Sequence, residues 1–90
     1  MAKTVRYVNT SSGVNVRDAA AGNKVRSLLQ GTLMIYDTAN APVKKALNGT
    51  TYTWIKVTYY YKGSNDQYLM ATEATGWVTQ NNTTEVSTTI

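Results

Sequence analysis

Apolar and polar residues alternate in short runs along this chain, and turn-forming residues separate one run from the next. "VRYVN" (5–9) and "VNVR" (14–17) are divided by "TSSG", and "LMIY" (33–36), "TWIKVTYYY" (53–61), "QYLMA" (67–71) and "GWVTQ" (76–80) follow. Turn signals fall at Asn48-Gly49, across residues 62–66 and at Thr75-Gly76. A period of two places successive side chains on opposite faces of a strand, so each run reads as a half-buried strand. Val25, Leu28 and Leu29 could share one helical turn, but that segment is short for a helix. The stretch "TANAPVKKALNGTT" around Pro42 reads as a long loop with one helical turn at Val43–Leu47. Many short strands without an amphipathic helix imply an all-β domain, a small barrel or sandwich.

Ninety residues make a single domain. A chain this short buries only ~60–65% of its unfolded surface, so little stability is in reserve. The sequence contains neither cysteine nor histidine. Disulfides are therefore excluded, as are Ser-His and Cys-His nucleophilic pairs and zinc sites built on His or Cys. No apolar run approaches a membrane span, and "MAKTVRYVN" lacks the apolar region of a signal peptide. The expectation is an excised domain or a protein exported by another route.

Nine Lys and Arg against five Asp and Glu give a net charge of +4. Such a charge suits a polyanion, whether nucleic acid, anionic wall polymer or anionic membrane surface. The charges are scattered, however, with Lys44-Lys45 the only adjacent pair, and the same +4 also serves plain solubility. Asp18, Asp37, Asp66 and Glu73 lie in or next to predicted turns and Glu85 lies near the C-terminus, which reads as solvated carboxylates rather than a catalytic pair. Neither a phosphate-binding glycine loop nor a dinucleotide fingerprint is present, so no cofactor or metal is implied. Sequons at Asn9, Asn48, Asn81 and Asn82 are coincidental in a chain so rich in Asn and Thr.

The aromatic residues carry more information. There are seven Tyr, two Trp and no Phe, so every ring has a polar tip suited to a wet recognition surface. On a regular strand over 53–61, Ile55, Val57, Tyr59 and Tyr61 face the core, while Trp54, Lys56, Thr58 and Tyr60 face outward. Two readings of Trp54 stay open: a ligand platform, or a ring that covers one end of the barrel. Candidate ligand-binding residues are Tyr36, Trp54, Tyr59, Tyr60, Tyr61 and Tyr68, together with Asn15 and Arg17. The last two either contact ligand or tie the loop after Arg17 back to the strands.

Four landmarks in order, "VNVR" (14–17), "KVRSLLQGT" (24–32), "WIKV" (54–57) and "TGWV" (75–78), resemble the bacterial SH3 domain family. The resemblance covers about residues 5 to 80. It implies a small, mostly antiparallel SH3-like barrel with long loops over 1–80, followed by a polar tail or linker over 81–90. Two segments are longer than in the family pattern, "ANAPVKKALNGTTYT" and "YYYKGSNDQYLMATEAT". The resemblance also implies a non-catalytic module that holds a tethered hydrolase, such as a bacterial or phage endolysin, on peptidoglycan through its peptide or cross-bridge. Such a module is extracellular or associated with the cell wall. The alternatives are a structural or protein-interaction module of a surface protein and, behind it, a nucleic-acid-binding barrel.

The alternation assigns Val14, Val16, Ile35, Ile55, Val57 and Val78 to the core. Replacing Ile55 by Ala should then cost ~2–5 kcal/mol. In a domain of this size each kcal/mol shifts the melting temperature by roughly 4–8 °C. A thermal melt unmoved by Ile55→Ala would place the two faces of the strand the other way round.

Overall fold

The structure is a computed structural model that describes residues 3–61 and 72–89, with the side chains of 61, 72 and 87–89 excepted. Tyr68, the strand expected over 67–71 and the turn over 62–66 lie outside the described residues, as does the Tyr61 side chain. The described residues form eight strands: β1 (Lys3–Val8), β2 (Val14–Arg17), β3 (Lys24–Leu28), β4 (Leu33–Asp37), β5 (Val43–Leu47), β6 (Thr50–Tyr61), β7 (Thr72–Thr79) and β8 (Thr83–Thr89). A 3-10 turn, Gln80–Asn82, separates β7 from β8. All pairings are antiparallel, in the order β3-β2-β7-β6-β4-β1-β8, with β5 added to β6. The all-β, antiparallel expectation holds. The sheet is not closed, because β3 and β8 end the path instead of pairing with each other.

The inner face of the sheet coils around one core. Val8, Val14, Val16, Leu28, Met34, Tyr36, Ile55, Val57, Tyr59 and Val78 form a single buried cluster drawn from six strands. The alternation within "VNVR" and "WIKVTY" predicts these faces correctly. Ile35 is a correction. It is paired with Val5 and Thr58 on the opposite side of β4 and is only half-buried, whereas Met34 and Tyr36 point inward. In a four-residue apolar run such as "LMIY" the hydrophobicity does not say which parity is the inner one.

Gly76 was read as part of a turn but lies inside β7, opposite Val57. A Cβ there would overlap Val16 Cγ1 and crowd the Arg17 carbonyl, so the absence of a side chain is what lets β2 close onto the sheet. The segment around Pro42 is also different from the expectation of loop and helical turn. Val43–Leu47 is a strand, and Leu47 pairs with Thr50 across Asn48-Gly49. Both turn residues have positive φ, 51° and 83°, as a two-residue type I′ hairpin requires. Lys24–Leu28 is likewise a strand, not a helical turn, and its residues pair with β2.

The C-terminal segment, read from its composition as a tail over 81–90, supplies β8. It pairs with β1, and Arg6 explains why this pairing matters. Arg6 lies on the inner side of β1 opposite Met34 and is buried. Its Nε donates to Thr83 Oγ1 at 2.8 Å, its Nη2 donates to the Thr83 carbonyl at 3.2 Å, and Glu85 lies 3.8 Å away. Removing these acceptors would leave a buried cation unpaired, which typically costs ~3–5 kcal/mol. Truncation after Asn82 should therefore lower the denaturant midpoint sharply. Loss of a true linker would leave it unchanged, so urea unfolding of the truncated and full chains decides between the two.

Candidate functional site

Strand β6 is long enough to leave the body of the sheet. Residues 50–54 pair with β5, and 57–59 pair with β4 on the same edge, while 54–61 pair with β7 on the other edge. The β5–β6 hairpin thus stands out as a two-stranded ribbon beside β2. Between them lies a half-open cavity of about 170 Å³. Asn15 and Arg17 of β2 form one wall, Leu47, Tyr52 and Trp54 of the ribbon form the other, and Thr79 and Asn82 close one end.

Trp54 is the floor of this cavity and not an exposed platform. It is 1% exposed, and its Nε1–H donates to the Lys45 carbonyl at 3.0 Å. Tyr52 meets its ring edge-on, with centroids 5.9 Å apart, and the Arg17 guanidinium lies 6.0 Å from the ring centroid. By strand parity Trp54 faces outward with Lys56, as the sequence predicts, but the ribbon and Arg17 cover it. Of its two readings, covering ring is the one that fits.

Arg17 also donates from Nη1 to the Gly22 carbonyl at 2.9 Å, which ties the 18–23 loop to β2. That loop is further fixed by Asn23 N–H donating to Asp18 Oδ1. Arg17 is therefore both structural and a wall of the cavity. Asn15 is exposed, and its Oδ1 accepts from Ser27 Oγ of β3 at 3.0 Å.

The remaining candidates separate. Tyr36 and Tyr59 are core residues. The Tyr36 hydroxyl donates to the Asn40 carbonyl at 2.7 Å. Burial pushes the Tyr36 phenol up, with nearby Asp37 adding to the effect and Arg6 opposing it. Tyr60 is exposed, away from the cavity, and its hydroxyl donates to Glu73 Oε1 at 3.2 Å. This hydrogen bond is the main cause of the raised Tyr60 pKa. The structure thus brings Asn15, Arg17 and Trp54 together, while Tyr36 and Tyr59 go to the core and Tyr60 lies elsewhere on the surface. Tyr52, Leu47, Thr79 and Asn82 were missed. The ribbon residues could have been found from Asn48-Gly49, which marks a hairpin flanked by apolar positions; nothing local marks Thr79 and Asn82.

Among the described residues the carboxylates serve local structure, and Asp66 lies outside them. Asp18 and Asp37 accept backbone N–H groups, Glu73 takes the Tyr60 hydroxyl, and Glu85 faces Arg6. Among the described residues no three His, Cys, Asp or Glu are placed to hold a metal, and no helix is long and apolar enough to cross a membrane. Comparison of the chain with protein-family models, with curated proteins and with solved structures finds no match.

The burial of Trp54 makes a graded prediction. Trp54→Ala should cost ~3–5 kcal/mol and compromise folding. Trp54→Phe retains most of the apolar contact and leaves the Lys45 carbonyl without its donor, so it should cost roughly 1–3 kcal/mol. Urea unfolding of both variants tests this, and two near-neutral substitutions would show the ring to be free.

Proposed function

We propose that the chain is a non-catalytic cell-wall binding module that docks peptidoglycan in the notch between β2 and the β5–β6 ribbon. One observation carries the reading. The notch combines a ring floor, Trp54 and Tyr52, with polar groups of Asn15, Arg17 and Asn82, and none of its lining residues is a carboxylate. An apolar base with a few convergent polar groups suits the orientation of a polar, chain-like ligand such as a wall peptide or cross-bridge. A site without carboxylate, histidine or cysteine lacks the side chains that most often act as general base in hydrolysis. The module would act by avidity, raising the local concentration of a tethered hydrolase at its substrate.

A protein-interaction module is the second reading, favoured by an apolar patch on the outer face. Tyr7 and Leu33 are paired there, and Leu33 is 56% exposed.

Pull-down on sacculi stripped of anionic polymer tests the first reading. Tyr52→Ala should reduce affinity about tenfold, equivalent to ~1.4 kcal/mol, without abolishing the thermal transition. Added salt should have little effect, since exposed charges are screened beyond ~8–10 Å at ordinary ionic strength. Equal capture of wild type and Tyr52→Ala, or no capture at all, refutes docking in the notch. Loss on Leu33→Ser instead would shift the contact to the outer face.

A further inference from the structure

Three cations and one tryptophan stand in a single row across four strands. Lys24 of β3 pairs with Arg17 of β2, Arg17 pairs with Trp77 of β7, and Trp77 pairs with Lys56 of β6. Directly paired residues point to the same face of a sheet. Arg17, Trp77 and Lys56 therefore share the outer face, on the side opposite Val16, Val57 and Val78, and Lys24 joins them across the β-bulge that shifts the β2–β3 register between Val16 and Arg17. With neighbouring strands ~4.8 Å apart, the row from Lys24 to Lys56 spans about 14 Å. Lys24 and Lys56 are exposed, and Trp77 and Arg17 are half-buried.

The row has no internal counter-charge. Among the described residues, the ion pair at contact distance is Arg6–Glu85, which involves none of the three cations. On the same face Asp37 pairs with Lys3, and Asp18, next to Arg17, has Oδ1 engaged by the Asn23 N–H. Like charges directly opposite each other in a ladder repel, and Lys24 and Arg17 are such a pair. An external anion laid across the row relieves that repulsion and gains three contacts at once.

We propose that this row seats an anionic polyol-phosphate polymer of the bacterial wall, with its phosphates on Lys24, Arg17 and Lys56 and its carbon backbone over Trp77. The phosphate chemistry follows from the row itself; the wall as its source rests on the reading of the chain as a wall-binding module. Single-stranded nucleic acid is the less favoured polyanion, because it uses successive exposed rings on which bases stack. Here Trp77 is the single ring in the row, while Trp54 and Tyr59 are buried.

The test is a titration of the full chain with purified poly(glycerol phosphate), read by tryptophan fluorescence over a range of salt. By analogy with single-stranded nucleic acids, where each neutralised phosphate adds roughly 0.7 to the log–log slope, three contacts should give a slope of about 2. The double variant Lys24→Gln, Lys56→Gln keeps Arg17 on Gly22 and should melt like wild type. Its slope should fall to about 0.7, with at least about tenfold weaker binding at low salt. No binding by wild type, or a double variant that binds as well, overturns the proposal. Tighter binding of oligo(dT) than of poly(glycerol phosphate) also overturns it and assigns the row to nucleic acid. Capture on stripped sacculi reads Tyr52 and not the lysines, so the notch and the row can fail separately.

Discussion

Backbone pairing along strand β6 is the constraint on which the rest of the molecule depends. Twelve consecutive residues need hydrogen-bond partners on both edges wherever they leave water. The chain meets this need with three partners: β7 along one edge, and β4 and β5 in succession along the other. Where β4 ends, β5 takes over and the ribbon diverges from the body. The same strand sends Ile55, Val57 and Tyr59 into the core and Trp54 and Lys56 to the outer side. One element therefore sets the core, the ribbon and the register of the outer face.

The notch follows from that divergence. A ribbon leaving the sheet beside β2 creates a re-entrant angle, and the angle is filled at its base by Trp54, held by the Lys45 carbonyl, Tyr52 and Arg17. Arg17 is shared by three structures: the 18–23 loop, the Trp54 ring and the cationic row. Its rigidity serves recognition, because a guanidinium already positioned loses less rotamer entropy when a ligand binds. The proposed peptide notch and polymer row adjoin at this residue, and a wall surface can offer both ligands together.

The closing of the domain depends on contacts distant in sequence. Arg6 finds its acceptors 77 residues away at Thr83, and Val16 finds its space at Gly76. The first contact turns a polar Thr-rich segment into an edge strand. The second allows β2 to approach β7 closely enough to place Arg17 beside Trp77. In both cases the cost avoided is specific: an unpaired buried guanidinium in the first and an overlapping side chain in the second.

Period-two alternation determined by itself that the chain is all-β, that Val14, Val16, Ile55, Val57 and Val78 are inner residues, and that Lys56 and Tyr60 are outer ones. Alternation is a local property, and the pleat transmits it to the faces without reference to any other strand. Turn chemistry marked Asn48-Gly49 for the same reason, since positive φ at both positions is a demand on those two residues alone. Only the tertiary structure decided that Thr83–Thr89 is a strand, because a weakly patterned polar segment takes its conformation from the edge available to it. It also decided that Trp54 is covered, that Tyr36 is core, and that Lys24, Arg17, Trp77 and Lys56 align. Exposure and cross-strand alignment depend on which strands become neighbours and in which register, and that is set by non-local packing.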